Sequence, residues 1–262
     1  MMRAALVGLC LAVAAASAQP PPMLAAGVDE HPGAQVPLDV PFTTSHGEPT
    51  TLRAQLDGKQ PVLLVLAYAR CTMLCSLVLR GVATAAHNLS REPGRDYRLI
   101  LISLDAHETV DEAARKQATL LSQLDHGDAP DRWPYLLGTR ANIDAVADAL
   151  GFRYAWDART QQYAHPAVIF ALTPDGRVAR YLHGIEFAPE LVSTALDDAA
   201  AGRVMSTTAA DVLRCFRFDP ASRRVGERAQ RFLRIGAAGI FVFSFASVAM
   251  LVAWERRLRR RR

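Results

Sequence analysis

Pro61 to Ala69 reads PVLLVLAYA, and the chain runs straight on into Arg70-Cys71-Thr72-Met73-Leu74-Cys75-Ser76-Leu77. A continuous apolar run without a charge is the pattern of a strand covered on both faces, as the inner strands of an α/β sheet are. The residues after it predict a helix from about Cys71 to Leu89. Two cysteines four apart therefore fall where a buried strand hands over to a helix, a junction at which α/β sheets commonly carry their sites.

Outward from this junction, strand and helix alternate. Tyr97–Leu104 (YRLILISL) predicts a second inner strand. Thr109-Val110-Asp111-Glu112 has the form of a capping box opening a helix that ends near Leu124. Asp125–Pro134 reads as a polar connector, Ala141–Leu150 as a short helix stopped by Gly151, and Ala167–Leu172 as a strand. Thr173-Pro174-Asp175-Gly176 turns into Val178–Leu182, which predicts a hairpin, and Pro189–Ala201 is the last helix. The order predicts a three-layer α/β domain over residues 36–202. Residues 19–35, with Pro20, Pro21 and Pro22, read as a flexible lead-in.

The ends belong to a different environment. Arg3 followed by fifteen apolar or small residues that close on Ala16-Ser17-Ala18 reads as a signal peptide over 1–18, which removes Cys10. Ile235–Trp254 is a 20-residue run without a charge, long enough at about 1.5 Å per residue to span a bilayer. Residues 203–234 then form a juxtamembrane linker and 255–262 an arginine-rich cytoplasmic tail. The expected location is the cell (inner) membrane, crossed once, with the domain on the periplasmic or extracytoplasmic side. The net charge of +4 hides this division: residues 19–202 hold 15 basic and 22 acidic side chains, whereas 203–262 hold 14 and 4. An acidic domain on a basic anchor is no footprint for nucleic acid.

Helical spacing would put the Cys71 and Cys75 thiols on one face, about 5–6 Å apart at Cβ, and a helix N-terminus favours a thiolate at Cys71. Such a pair can close a disulfide or hold a soft metal ion. Peroxide reduction of the peroxiredoxin type wants Thr or Ser three residues before the reactive cysteine, where Tyr68 stands. His87, His107 and His183 have no metal-ligand spacing to one another, and Met73 points away from the shared cysteine face. Cys215, between domain and anchor, reads as a buried free thiol or an intermolecular contact.

The segment Arg70–Leu77 after PVLLVLAYA resembles the C-x-x-x-C loop of the SCO/SenC family, thioredoxin-like copper proteins that assist assembly of the copper site of cytochrome c oxidase. Ser103-Leu104-Asp105, Trp133–Gly138, His165 before AVIFALTPDG, and Tyr181–Ile185 fit in the same order. The resemblance covers about Val36 to Ala201. It implies a thioredoxin-like fold with a C-terminal transmembrane helix and copper bound by Cys71, Cys75 and His165. Asp105 would stand behind these ligands, orienting His165 or tuning thiol basicity. Implied partners are a copper donor and an acceptor, a cytochrome c oxidase subunit or another copper protein. Thr72 departs from the proline often found after the first cysteine. Pro166, directly after His165, occupies a position like that of the thioredoxin cis-proline, although a trans bond is the default. The expected function is a membrane-anchored copper chaperone. The alternative is a thiol-disulfide oxidoreductase acting on the acceptor's cysteines, with Cys71 and Cys75 as its redox pair.

Overall fold

The computed structural model describes residues 25–71, 74–123 and 132–206. The signal peptide (1–18), the transmembrane run (235–254), the tail (255–262), Met73, Cys215 and all but the first residues of the linker lie outside these. No helix among the described residues is long and apolar enough to cross a membrane.

The centre of the domain is the strand expected from PVLLVLAYA. It is β4 (Val62–Ala67), preceded by β1 (Gly27–Val28), β2 (Pro41–Thr44), β3 (Pro49–Thr51) and the one-turn α1 (Leu52–Gln55). All six residues of β4 are buried, so both of its faces are covered. Fully burying a Val or Leu side chain is worth about 1.5–3 kcal/mol, and the five large aliphatics of this strand together contribute roughly 10 kcal/mol of transfer free energy.

After β4 come α2 (Leu74–Asn88), β5 (Arg98–Ser103), α3 (Val110–Leu121), β6 (Tyr135–Leu137), α4 (Arg140–Ala149), β7 (Phe152–Arg153), β8 (Ala155–Asp157), β9 (Gln162–Ala164), β10 (Val168–Leu172), β11 (Val178–His183) and α5 (Pro189–Ala200). Seven strands form one sheet in the order β11-β10-β4-β5-β6-β2-β3. The β4–β5 and β5–β6 pairs are parallel; β10 runs antiparallel to β4 with Ile169 opposite Val65. The carboxyl end of β4 and the amino end of β10 therefore lie side by side at one end of the sheet's strands.

Helix α2 buries Cys75, Val78, Leu79, Val82 and Ala86, the stripe that a 3.6-residue repeat lays along one face. Gly81 allows this helix to press on the loop after β11: a Cβ there would stand 2.1 Å from the Ile185 carbonyl oxygen. The capping box at Thr109 and Glu112 forms as the sequence predicts.

Two expectations change. Among the described residues helix α2 runs from Leu74 and Cys71 stands outside it; the Cys71 sulfur takes the Cys75 N–H at 3.2 Å and so caps the turn that carries Cys75. The lead-in is also packed before Val36. β1 pairs with β7, the His31 N–H donates to the Tyr181 hydroxyl at 2.7 Å, and Gly33 N–H donates to the Val178 carbonyl.

Candidate metal centre

The loop leaving β4 is fixed from three sides. Cys71 N–H donates to the Tyr68 carbonyl at 3.4 Å, Ser76 Oγ donates to the Cys71 carbonyl at 2.9 Å, and Ala69 N–H donates to Glu108 Oε2 at 2.9 Å. Cys71 and Cys75 are 4% and 0% exposed, and neither is in a disulfide. Burial first, and then the neighbouring Cys71, pushes the Cys75 thiol far above the usual thiol range, so without a metal it is the neutral S–H.

His165 enters from the other strand. It follows β9, three residues ahead of β10, and is 8% exposed. Its Nδ1 lies 3.0 Å from the Pro166 carbonyl oxygen, which can only accept, so Nδ1 carries the proton and Nε2 presents its lone pair. That lone pair faces Cys75 Sγ at 2.9 Å. Pinning one imidazole nitrogen on a backbone carbonyl is the usual way of orienting a metal-binding histidine. The His165–Pro166 bond is trans.

Cys71, Cys75 and His165 thus bring two sulfurs and one nitrogen within 4.8 Å of one another, the one group of three or more potential ligands among the described residues. Two soft sulfurs and an imidazole form a donor set suited to a soft or borderline ion. Tyr68 and Phe152 wall the site, their ring centroids 6.5 and 6.1 Å from that of His165.

The role expected for Asp105 in orienting His165 is not what the structure shows. The Asp105 carboxylate, buried at the end of β5, takes Arg70 in an ion pair and the His107 N–H at 3.0 Å, while the Pro166 carbonyl holds the imidazole. Arg70 follows Tyr68 and Ala69 on the loop, so Asp105 acts on the loop carrying Cys71 rather than on His165. The other histidines stay apart: His183 pairs with Glu30 at 2.8 Å and stacks on Tyr181, and His87 sits in the last turn of α2.

Sequence reasoning passed over Glu108. Its Oε2 accepts from Ala69 N–H and from Ser103 Oγ at 2.8 Å, and burial pushes its pKa up against the lowering effect of these bonds. Glu108 stands next to the capping box, where acids are ordinarily solvated; its position five residues beyond Ser103 at the carboxyl end of an inner strand was the available signal.

A family model for SCO1/SenC matches residues 31–200. The chain belongs to the SCO1/SenC family. No curated protein matches this SCO1/SenC chain. Among solved structures it is similar to a candidate electron transfer protein from Aquifex aeolicus VF5, at 23% identity over 65% of this chain and 95% of that one, TM-score 0.57. It is similar also to a candidate electron transport protein from the same organism, at 24% identity over 65% and 99%, TM-score 0.55. A third likeness is to BsSco, from Bacillus, a member of the Sco family of cytochrome c oxidase assembly proteins, at 17% identity over 66% and 98%, TM-score 0.51. At these identities the likenesses establish the fold, which is the mixed α/β thioredoxin-like fold of Sco proteins.

Proposed function

We propose that this SCO1/SenC protein is a membrane-anchored, extracytoplasmic copper chaperone that delivers copper for assembly of the copper site of cytochrome c oxidase. The observation that carries the copper reading is the geometry of His165: its Nδ1 is spent on the Pro166 carbonyl, and Nε2 is aimed into the space shared with both cysteine sulfurs. A dithiol used only for disulfide exchange has no need of that imidazole. Cu(I), soft and content with three ligands, suits two thiolates and a neutral imidazole.

Copper is cargo here. Its arrival displaces the Cys71 and Cys75 thiol protons, so binding weakens as pH falls. Its departure needs incoming ligands from an acceptor, which exchange with Cys71 and Cys75 one at a time. The signal peptide and the apolar run 235–254 support an anchor, and tethering raises the effective concentration toward a membrane-bound acceptor.

One observation favours a second reading, reduction of the acceptor's cysteines. The pair is asymmetric: Cys75 N–H is aimed at the Cys71 sulfur, stabilising negative charge there, while Cys75 is buried and neutral. Cys71 would attack and Cys75 resolve.

The test is a Cu(I) titration of the reduced protein under exclusion of oxygen, with thiol-disulfide exchange measured in parallel. One Cu(I) per chain is expected, with binding weakened in His165→Ala and lost in Cys71→Ser. Unchanged affinity in His165→Ala, with reductase activity kept, would replace the chaperone by the enzyme.

A further inference from the structure

Beside the loop that carries Cys71 lies a shallow hollow of about 270 Å³, lined by Ala69 and Arg70 from the loop and by Glu112, Arg115, Lys116 and Thr119 from α3. The α3 residues stand at i, i+3, i+4 and i+7, the spacing that puts them on one face of a helix. Ala69 and Arg70 directly precede Cys71, so the hollow adjoins the metal centre.

The lining holds three cations and one carboxylate, in a domain where acids outnumber bases by 22 to 15 over residues 19–202. That carboxylate is already engaged. Glu112 Oε2 accepts from the Thr109 N–H and O–H, each at 2.9 Å, within the capping box, and its Oε1 lies 3.9 Å from Arg70 Nε. The Arg70 guanidinium is steadied by the Asp105 carboxylate, which is buried, while Arg70 itself is more than half exposed. A steadied guanidinium with two further cations beside it suits carboxylates, which arginine takes through paired N–H donors. The hollow is smaller than the about 300 Å³ at which small-molecule pockets begin, and it has room for one or two side chains of a docking protein. A lipid surface is ordinarily met by clusters of about four to eight Lys or Arg rather than three.

We propose that this hollow is a docking subsite for an acidic protein face: carboxylates next to the partner's own copper ligands or thiols enter between Arg70, Arg115 and Lys116 and bring those groups up to Cys71. The inference rests on the reading that Cys71 and Cys75 exchange with a partner protein, and it is the same whether copper or a disulfide is exchanged. Charges at the rim of a contact act chiefly on the rate of encounter and on its salt dependence.

The experiment follows the reduced full-length protein, in uncharged detergent micelles without oxygen, as it reacts with two aromatic disulfides. Dithiobis-nitrobenzoate carries a carboxylate on each ring; dithiodipyridine is uncharged. With either, one cysteine thiolate forms a mixed disulfide and releases an aryl thiol, and the other cysteine displaces the second aryl thiol to leave the Cys71–Cys75 disulfide. The uncharged reagent reads any change in the thiols themselves, so the ratio of the two rates isolates charge. At low salt the double variant Arg115→Glu, Lys116→Glu is expected to lower the ratio of anionic to uncharged rate about tenfold, and Arg115→Gln, Lys116→Gln to lower it less. The wild-type ratio is expected to fall between about 0.01 and 1 M salt, as the screening length shrinks from about 30 to 3 Å. Lys59→Glu, Arg95→Glu makes the same change in net charge in the loops before β4 and β5, at the far end of those strands from the centre, and is expected to keep the wild-type ratio. A ratio unchanged in Arg115→Glu, Lys116→Glu overturns the inference. So does an equal fall in Lys59→Glu, Arg95→Glu, which would make the effect one of overall charge. Loss of the wild-type preference when phosphatidylglycerol is added to the micelles would assign the hollow to lipid and overturn the protein partner. Protein that takes up no Cu(I) overturns the chaperone reading instead, and the rate ratio still decides the docking subsite.

Discussion

Replacing Glu108 tests how the loop that carries Cys71 is held. Its Oε2 is the shared acceptor of the Ala69 N–H and the Ser103 O–H, and its Oε1 is buried without a hydrogen-bond partner. Glu108→Ala leaves the half-buried Ala69 N–H unpaired and the Ser103 O–H with only its longer bond to the Asp105 carbonyl at 3.3 Å, for a loss of roughly 2 kcal/mol. In a domain of this size that lowers Tm by roughly 6 °C, taking about 2–4 °C per kcal/mol. Glu108→Gln keeps an acceptor oxygen and removes the charge. Burial raises the folded-state pKa of Glu108 above its ordinary 4.5. The folded protein therefore holds this proton to higher pH than the unfolded chain does. The stability linked to it is fully present below pH 4.5, falls as pH rises through the folded pKa, and is flat beyond. Glutamine cannot titrate. The stability difference between Glu108→Gln and wild type should accordingly grow in favour of glutamine from pH 4.5 upward, by about 1.4 kcal/mol for each unit by which the folded pKa is raised. Urea denaturation of the three proteins from pH 4.5 to 8 reads this directly. Glutamine as destabilising as alanine at every pH, or a glutamine-to-wild-type difference that does not change with pH, would refute the reasoning.

Two other substitutions separate loop, helix and site. Gly81→Ala drives a Cβ against the Ile185 carbonyl, backbone on backbone, and should cost about 1–3 kcal/mol in urea denaturation, because neither partner is a flexible side chain. Asp105→Ala frees the half-exposed Arg70 and the His107 N–H; about 1 kcal/mol of stability should be lost, while Cu(I) affinity in a competition titration stays near wild type, since the carboxylate does not hold His165.

The inner strands β4, β5 and β10 were legible in the sequence because they are apolar runs whose burial on both faces leaves a one-dimensional trace, and the edge strand β11 was reached through the turn at Thr173–Gly176. The shorter strands were not. β2 (PFTT) and β3 (PTT) are short and mostly polar, and β8 and β9 (AWD, QYA) are defined by pairing with each other. The capping box at Thr109 was readable since all of its atoms are local. Cys71 was placed inside α2 because nothing in residue type announces that its sulfur takes a backbone N–H.

At the site, the Cys71–Cys75 spacing carried its own chemistry, whereas His165, 90 residues from Cys75, was reached by family resemblance. For Asp105 the expectation was to orient His165 or to tune the thiols; its carboxylate takes Arg70 on the cysteine loop, and His165 is served by its own neighbouring carbonyl. Glu108 escaped for the same reason, since its role depends on where Ala69 arrives in three dimensions.

The most direct test of the central claim is X-ray absorption at the copper edge of the reduced protein loaded with one equivalent of Cu(I). Two sulfur scatterers and one imidazole nitrogen are predicted, with the nitrogen contribution absent in His165→Ala. Sulfur-only coordination in the wild type, or a spectrum unchanged by His165→Ala, would contradict a centre built from Cys71, Cys75 and His165.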